Sequence, residues 1–275
     1  MKVYSPSQTK TFLECPVAWK LSRMGVTRRQ YNKGTVYAIR GSAVSAGLEC
    51  YNNQGSDVGN VIAKAVYADW EHYQLDYREW AEFRSVALTK DEVVEQATAL
   101  VKAYTETHQP FEVLHAEFAF KDHGNARADV IGKIGSQILP VDYKCKDIPA
   151  SDYYRHIARQ DYRYDWQLMH YCWAVGEVFN IECLTFGIVV LWYAKKPEIE
   201  YIPFIVQPDR LALWLESARD VWSRMEACEN GAPVYEVASH RTPYGQCEYY
   251  KACLEYQRDF SLMSKDYLVV TRKPQ

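Results

Sequence analysis

The sequence predicts an α/β protein in which a mixed central sheet is flanked by helices and the N-terminal region is helical. Helix-like apolar stripes fill about the first 110 residues, whereas strand-like segments begin just after Pro110. A strong helix pattern then lies between two strand patterns. Elements in this order indicate one sheet with helices packed against it.

Four helix patterns precede Pro110. Ser5 is a suitable N-cap and Pro6 a suitable first helical residue for the first of them, and Pro16 interrupts it. With three further patterns behind it, the N-terminal third is predicted to be wholly helical. The three sequences are VYAIRGSAVSAGLECY, VGNVIAKAVYADWEHYQLDYREW and KDEVVEQATALVKAYTETH.

Strand-like composition dominates the chain after Pro110. Gly132 and Gly135 are predicted to mark the turn between the second and third strands. A helix is predicted at YDWQLMHYCWAVGEVFN, and a long final helix has Pro208 near its start and Gly231 past its end. The predicted strands are FEVLHAEFAFK, ARADVIGKIG, SQILPVDYKCK, CLTFGIVVLWYA and EIEYIPFIV.

We expect a single domain over residues 1–275. Its predicted parts are a helical portion at about 1–110, a sheet-containing core at about 111–206, and a C-terminal helix with a cysteine-bearing tail at 207–275. No internal repeat, low-complexity segment or linker-like composition separates these parts.

Composition limits the classes of function. The formal net charge of −3 provides no global positive field, so a nucleic-acid partner would have to meet a local basic groove. No apolar run approaches the roughly 20 residues of a membrane span, and the start MKVYSPSQTK lacks an apolar signal segment. We therefore expect a cytoplasmic protein without a membrane partner, and its eight cysteines are expected to be mostly reduced.

The main candidate site lies in the third predicted strand, at VDYK. Residues i and i+2 of a strand share a face, so Asp142 and Lys144 are expected side by side, with Tyr143 and Cys145 on the opposite face. A hairpin can bring Asp129 of the preceding strand onto the face of Asp142. The alternative is a structural ion pair with no role in nucleic-acid chemistry.

A divalent cation would account for these neighbouring carboxylates. Like charges placed together need a neutralising cation, and hard oxygen ligands favour Mg²⁺ or Mn²⁺. Glu117, one strand earlier, could add a third oxygen ligand. Lys144 in the same pocket could orient an attacking water and offset charge in the transition state of phosphodiester hydrolysis.

Arginines and tyrosines alternate in the segment SDYYRHIARQDYRYDWQ. Arginine can bind phosphate bidentately and tyrosine can stack on bases, so the segment suits a single strand of nucleic acid passing the site. A solvated, tyrosine-rich loop is the alternative. The candidate substrate contacts are Arg155, Arg159 and Arg163.

The ordered set of motifs resembles the PD-(D/E)XK nucleases. It is most similar to the RecB-like branch, which includes the AddB nucleases and the CRISPR-associated adaptation exonucleases. The resemblance rests on Glu117, Asp129, VDYK and the following helix with QLMHY. The opening SPSQTKTFLECPVAWKL is also similar to that of the branch, and RGSAVSAGLE is similar to its Gly-x-x-x-His-x-x-x-Glu helix.

The resemblance implies a restriction-endonuclease-like core and a metal-dependent DNA exonuclease. Asp129 and Asp142 would hold Mg²⁺ or Mn²⁺, Lys144 would be the catalytic lysine, and Glu117 would join them. Gln167 and Tyr171 match the branch's Gln-x-x-x-Tyr motif, and helical spacing puts both on one face. There they would bind the substrate strand or support the site, and an ordinary amphipathic helix face is the alternative. The implied substrate is single-stranded DNA or a duplex end, in recombination, repair, or phage or CRISPR DNA processing.

One departure from the branch affects the metal site. Ser45 stands where the branch has a metal-binding His, with Gly41 and Glu49 flanking it as expected. This supports an alternative function, a catalytically weak or inactive member that binds DNA or a protein partner as a module. The retention of Asp129, Asp142 and Lys144 together argues against that alternative.

A second departure concerns an iron–sulfur cluster that many relatives hold with four cysteines. Cys15, Cys247 and Cys253 match three of the positions, but Tyr244 occupies the fourth. Cys228 and His240 are substitutes at other spacings. Because such clusters normally take four thiolates, the alternative is a clasp between the termini that is held by packing alone.

Overall fold

The computed structural model describes residues 1–28, 36–73, 88–146, 148, 150–163, 165–193, 196–233, 241–242, 245–246, 249 and 267–269. The chain divides into two compact units, Gly34–Glu216 and a smaller one made of Met1–Lys33 with Ser217–Gln275. The larger unit contains the central sheet and the candidate site. The predicted single domain and its three parts stay a prediction.

The described residues contain eight helices and nine strands. The helices are α1 (Pro6–Glu14), α2 (Pro16–Arg23), α3 (Val36–Asn52), α4 (Val58–Tyr73), α5 (Lys90–Glu106), α6 (Asp152–Tyr162), α7 (Trp166–Phe179) and α8 (Pro208–Glu229). The strands are β1 (Val26–Arg28), β2 (Glu112–Phe120), β3 (Ala126–Ile134), β4 (Gln137–Lys146), β5 (Thr185–Tyr193), β6 (Pro197–Ile205), β7 (Arg241–Thr242), β8 (Gly245–Gln246) and β9 (Tyr267–Val269).

A five-stranded mixed sheet forms the centre of the larger unit. Its strand order is β2-β3-β4-β5-β6, and only the β4–β5 pair within it is parallel. A parallel pair needs a long crossover, and here the crossover contains α6 and α7. The predicted fold class, a mixed central sheet flanked by helices, is confirmed.

The two faces of the sheet differ in character. Leu139, Val141 and Tyr143 of β4 join a buried core with apolar residues of α3, α4 and α5. Because neighbouring strand residues point to opposite faces, Asp142 and Lys144 lie on the other face, where α7 contacts β4. The sequence-based assignment of these residues to opposite faces is therefore confirmed.

Strands β3 and β4 part in the middle of the sheet. Their pairing runs from Ile134–Gln137 to Val130–Val141 and then stops. Beyond that point β3 stays paired with β2, down to Ala126, and β4 stays paired with β5, up to Lys146. The first residues after the last β3–β4 pair are Asp129 and Asp142, so the opening begins at two carboxylates.

Local capping explains where several helices begin. Ser5 accepts a hydrogen bond from the backbone N–H of Gln8 and Pro6 is the first residue of α1, as predicted. Helix α1 ends at Glu14, and α2 begins at Pro16, which cannot continue a helix because it has no N–H. Ser151 caps α6 by accepting from the N–H of Tyr154.

Three sequence-based expectations are wrong. The N-terminal third is not wholly helical, since β1 pairs with β9 about 240 residues later in the chain. Gly132 lies inside β3 opposite Leu139, and the turn uses Gly135, whose φ of 59° suits a residue without a side chain. The arginine- and tyrosine-rich segment is helix α6 rather than a loop.

The smaller unit is held by polar contacts as well as by packing. Glu229 near the end of α8 accepts hydrogen bonds from Lys2 at 2.5 Å, Tyr4 at 2.9 Å and Arg23 at 2.9 Å. The Trp222 indole donates to Thr9 at 3.1 Å, and the Tyr249 hydroxyl donates to the carbonyl of Val26. None of the helices in the described stretches is both long and apolar enough to cross a membrane.

Candidate functional site

An ion pair between Asp142 and Lys144 lies at the opening between β3 and β4. The Lys144 Nζ atom is 2.6 Å from Oδ2 of Asp142. The Asp142 side chain is 3% exposed and the Lys144 side chain 27% exposed, so solvent screens this pair weakly. The predicted side-by-side arrangement is confirmed.

Asp129 reaches across the opening to β4. Its Oδ2 accepts a hydrogen bond of 2.7 Å from the backbone N–H of Tyr143. This N–H lies beyond the end of the β3–β4 ladder, and the carboxylate takes the place of the strand partner it lacks there. The contact puts Asp129 beside Asp142 and Lys144.

The Tyr143 side chain fixes β4 from the opposite face of the sheet. Its hydroxyl accepts a hydrogen bond of 2.9 Å from Nδ2 of Asn52 on α3 and lies 2.9 Å from the hydroxyl of Tyr104 on α5. The rings of Tyr104 and Tyr143 also meet edge to face. Helices on one face thus hold the backbone that presents Asp142 and Lys144 on the other.

A chain of hydrogen bonds from α7 connects the two parted strands. Gln167 Nε2 donates to Oδ1 of Asp142 at 3.2 Å and to the hydroxyl of Tyr171 at 2.6 Å. That hydroxyl donates to the carbonyl of Arg127 on β3 at 2.5 Å. Asp165 starts α7 by capping the N–H groups of Gln167 and Leu168, which places Gln167 at the opening. Gln167 and Tyr171 therefore lie on one helix face, as expected, and connect Asp142 to β3. Their role as substrate contacts stays a prediction.

Glu117 lies at the edge of the site in an ion pair that the sequence did not indicate. Its Oε2 atom is 2.6 Å from Nε of Arg127, with Glu117 13% exposed and Arg127 67% exposed. The neighbours of Glu117 pair with Val130 and Ala128, so it lies opposite Asp129 on the same face. Its φ of 51° marks an irregular backbone at this position.

Burial and mutual repulsion shift the carboxyl pKa values upward. Burial, followed by the charge of Asp142, raises the pKa of Asp129 from 3.8 to about 7. Burial also raises the pKa of Asp142, although Lys144 opposes this. Burial alone would lower the pKa of Lys144, but the charges of Asp142 and Asp129 outweigh it, so that pKa is raised and the ammonium keeps its proton.

The donor atoms fit a hard divalent cation held by two carboxylates. Within the stretches that the structure describes, no three His, Cys, Asp or Glu side chains form a complete ligand group. Mg²⁺ commonly keeps several waters and uses one or two carboxylates together with substrate phosphates, so Asp129 and Asp142 suffice for such an ion. The pKa values of both carboxyl groups are raised, which means that their negative charges are destabilised in the site. A bound cation would stabilise these charges.

Helix α3 contains Ser45, the residue that stands where the RecB-like branch has a metal-binding His. Ser45 is half-buried and Glu49 is exposed one turn later. Burial raises the pKa of Glu117 against the influence of Arg127, and the charges of Glu49 and Asp142 add to this. Glu49 is therefore close enough to Glu117 to act on it electrostatically.

The arginines of α6 are engaged by carboxylates of β6. Arg155 forms ion pairs with Glu198 at 2.9 Å and with Glu200, and Arg159 pairs with Glu200 at 3.0 Å. Glu200 lies opposite Val190, which lies opposite Lys144, so this contact is two strands or about 10 Å from Lys144. Arg163 is exposed at the C-cap of α6. Their roles as substrate contacts stay predictions.

The structure describes one of the three cysteines predicted to hold an iron–sulfur cluster. Cys15 is the N-cap of α2, and its Sγ accepts from the N–H of Ala18 at 3.4 Å. Cys228 is buried. Cys247 and Cys253 lie outside the described residues, as do Tyr244 and His240. A cluster at these positions stays a prediction.

Sequence reasoning missed three contributors to the site. Arg127 stands two residues before Asp129, and the i, i+2 rule used for VDYK would have placed it on the same face. Asp165 could have been predicted as an N-cap, because it directly precedes the apolar pattern of α7. No sequence pattern indicates the role of the Tyr143 backbone N–H, because its availability depends on where β3 and β4 part.

Comparisons with known proteins give one family and a structural neighbour. The model of the PD-(D/E)XK nuclease superfamily matches residues 3–254, which include every site residue from Glu117 to Tyr171. No curated protein sequence matches the chain significantly. A crystal structure named "Putative exonuclease" from Eubacterium rectale is similar at 16% identity, with a TM-score of 0.47, covering 100% of this chain and 91% of that chain.

Proposed function

The chain belongs to the PD-(D/E)XK nuclease superfamily, and from this premise we propose that it is a metal-dependent DNA nuclease with its catalytic centre at the opening between β3 and β4. The observation that carries the proposal is the buried carboxylate of Asp142 and the half-buried carboxylate of Asp129, which lie together beside the Lys144 ammonium. A purely structural ion pair with Lys144 would need one carboxylate. The second accepts one backbone hydrogen bond but adds repulsion, which a bound cation would offset.

Asp129 and Asp142 are the proposed ligands of Mg²⁺ or Mn²⁺, the ions that this superfamily generally uses. When bound, the ion supplies Lewis-acid stabilisation of the charge on the scissile phosphate. Glu117 contributes a third carboxylate at the edge of the site, where Arg127 holds it. An iron–sulfur cluster at Cys15, Cys247 and Cys253 is a separate prediction and has no part in this chemistry.

Lys144 is the proposed catalytic lysine. Asp142 holds its ammonium in place, and the raised pKa of Lys144 keeps it protonated across the neutral range. From that position Nζ donates to the attacking water and to the phosphoryl oxygen on which negative charge accumulates. Water attacks phosphorus directly and the P–O bond to the leaving oxygen breaks. The water loses one proton, the leaving oxygen takes one up to become a hydroxyl, and no covalent intermediate with the protein forms.

The proposed substrate is single-stranded DNA or a duplex with a free end. The protein would degrade it as an exonuclease, and the proposed location is the cytoplasm. Recombination, repair and phage or CRISPR DNA processing are the settings that the resemblance favours. Arg155, Arg159 and Arg163 are the proposed contacts to the DNA strand. The ion pairs of Arg155 and Arg159 with β6 also hold α6 on the sheet.

The second candidate function is a DNA- or partner-binding module with weak or no activity. Ser45 favours it, because a hydroxyl is a poorer metal ligand than the imidazole found at this position in relatives. The two functions differ in whether bound DNA is cut.

Digestion of labelled DNA tests the proposal. Linear single strands and linear duplexes labelled at one end, and closed circular single strands labelled internally, are incubated with Mg²⁺, Mn²⁺ or chelator. We expect cutting of the linear substrates with either metal, no cutting with chelator, and resistance of the circles because they have no end. Binding without cutting in both metals would establish the module instead. Cutting in chelator would contradict metal dependence.

Replacement of Gln167 by Ala separates a positioning role from a substrate contact. Its amide contacts Asp142 and Tyr171, so we expect kcat to fall by about 10- to 100-fold while KM stays within threefold. Steady-state kinetics with a linear single strand measure both constants. A rise in KM at unchanged kcat would instead show that Gln167 binds the substrate.

A further inference from the structure

Arg127 and Lys144 occupy matching positions on the two sides of the opening between β3 and β4. The last pair of the β3–β4 ladder is Val130–Val141. Continuing that register places Asp129 opposite Asp142, and Arg127 opposite Lys144. Arg127 and Asp129 are i and i+2 on β3, so both lie on the face that carries Lys144. The opening thus has two carboxylates at its base and a cation on each side.

The two cations differ in their surroundings. Lys144 is 27% exposed and paired with Asp142, whereas Arg127 is 67% exposed and paired with Glu117. A polyanion approaching from solvent therefore reaches Arg127 without first displacing buried groups. The guanidinium has five N–H donors, so the contact of its Nε with Glu117 is compatible with a second contact to phosphate oxygens.

The backbone of Arg127 is held by the same hydrogen bonds that hold Asp142. Its carbonyl accepts from Tyr171, which accepts from Gln167, and Gln167 donates to Asp142. The Glu117 carboxylate holds the Arg127 guanidinium through the 2.6 Å contact with Nε. A cation that is exposed yet positioned in this way loses little conformational freedom when it binds a ligand.

The charge of the site creates a need for such a cation. Three carboxylates, those of Glu117, Asp129 and Asp142, face an incoming phosphodiester, and Lys144 is already paired with one of them. Arg155 and Arg159 of α6 do not supply this cation directly, because they are paired with Glu198 and Glu200 over β6.

We propose, on the basis of the nuclease function above, that Arg127 binds a backbone phosphate of the DNA strand at the outer edge of the opening, across from Lys144. Glu117 orients the guanidinium for this contact. Arg127 is then a substrate-binding residue that sets how a strand is aligned over the two aspartates. Its contact is with phosphate, so it acts on every base sequence alike.

DNA binding without cleavage tests the proposal. A fluorescein-labelled single-stranded oligonucleotide is titrated in chelator, and anisotropy gives the Kd at several salt concentrations. For Arg127→Ala we expect the Kd to rise about tenfold and the slope of log Kd against log salt to fall by about 0.7, the value of one phosphate contact on a single strand. Arg127→Lys is expected to keep the slope and recover part of the affinity, since it keeps the charge but not the fork.

Two further variants separate phosphate binding from a structural role. Lys102 is an exposed cation paired with Glu106 on α5, and Lys102→Ala should change the Kd less than twofold. Glu117→Gln removes the negative charge of the ion pair but keeps an oxygen that can accept from the guanidinium, so we expect equal or tighter binding. Weakening by both Glu117→Gln and Arg127→Ala would show that only the ion pair matters and would overturn the proposal.

The outcome for Arg127 is independent of the outcome for the nuclease function. Wild-type protein that binds the oligonucleotide without cutting it in Mg²⁺ or Mn²⁺ contradicts the nuclease, while the Arg127 comparison still decides the phosphate contact. Normal affinity and salt slope in Arg127→Ala would contradict the contact, even with a fully active wild type. A weakened Kd and reduced salt slope in Arg159→Ala, with both unchanged in Arg127→Ala, would place the phosphate contact on α6 and overturn the proposal.

Discussion

Replacement of Lys144 by Met should lower the rate of DNA cleavage by about a thousandfold, because the site loses its donor to the attacking water and to the phosphoryl oxygen. Binding of an oligonucleotide in chelator should fall far less. Lys144 is paired with Asp142 rather than held out to solvent, so it adds little to the first encounter with DNA. Single-turnover cleavage with Mn²⁺ and anisotropy in chelator measure the two effects separately.

Lys146 provides a matched control for this substitution. It lies two residues further along β4, on the same face, with its ammonium over the ring of Tyr162. Lys146→Met makes the same change of charge and should keep the cleavage rate within a few-fold. Lys144→Arg retains a cation for Asp142 but not the compact ammonium, and should fold normally while cutting poorly. Equal losses in Lys144→Met and Lys146→Met would indicate a general effect of charge.

Replacement of Asp129 by Asn should abolish most cleavage and at the same time stabilise the metal-free protein at pH 8. Asparagine keeps an oxygen to accept from the N–H of Tyr143, so the contact across the opening survives. It removes the buried charge that repels Asp142, and with it a proposed metal ligand. A gain in stability together with a loss of activity is the signature of a residue retained for function.

The gain in stability should depend on pH. The folded-state pKa of Asp129 is raised to about 7 from 3.8, so between these values the folded protein binds a proton that the unfolded chain has released. Stability therefore falls as pH rises through that window, and this part of the fall is absent in Asp129→Asn. Thermal unfolding in chelator at pH 5 and pH 8 should show a larger Tm difference between variant and wild type at pH 8.

The exposed Asp122 offers the control for this pH series. Asp122→Asn should unfold in parallel with the wild type at both pH values. Saturating Mg²⁺ should raise the Tm of the wild type more at pH 8 than at pH 5 and should leave Asp129→Asn nearly unchanged. Parallel profiles for Asp129→Asn and the wild type would contradict the raised pKa.

The parts of the fold that follow local periodicity could be predicted from the sequence. The alternation in VDYK predicted Asp142 and Lys144 on one face of a strand. The i, i+4 spacing predicted Gln167 and Tyr171 on one face of the following helix. Both results depend on geometry within one strand or one helix. The position of Asp129 followed from a hairpin of adjacent strands, which is the next simplest relation.

The features that the sequence did not indicate depend on partners remote in the sequence. Strand β1 is too short to show a pattern and exists through its pairing with β9. The ion pairs of Arg155 with Glu198 and Glu200 join a helix to a strand about 45 residues later, a contact that no local pattern predicts. The pairing of Glu117 with Arg127 likewise depends on register, which composition does not specify.

The conflict within the site supports the proposed function. A sequence selected only for stability would not place the carboxylates of Asp129 and Asp142 side by side at the end of a strand ladder. Local preference and global fold agree elsewhere in the sheet, where alternate residues of β4 pack into the core with α3, α4 and α5. The disagreement is confined to the opening, as expected for a site that accepts a cation and a phosphodiester.

Single-turnover cleavage by Asp142→Asn and Asp165→Asn tests the central claim most directly. Both residues are acidic, and the charge of Asp165 is close enough to raise the pKa of Asp142. Asp165, however, serves as the N-cap of α7, a role that asparagine performs equally well. With Mn²⁺ and an end-labelled single strand, we expect Asp142→Asn to lose about a thousandfold in rate and Asp165→Asn to stay within tenfold of the wild type. Wild-type cleavage by Asp142→Asn would show that the opening between β3 and β4 is not the catalytic centre.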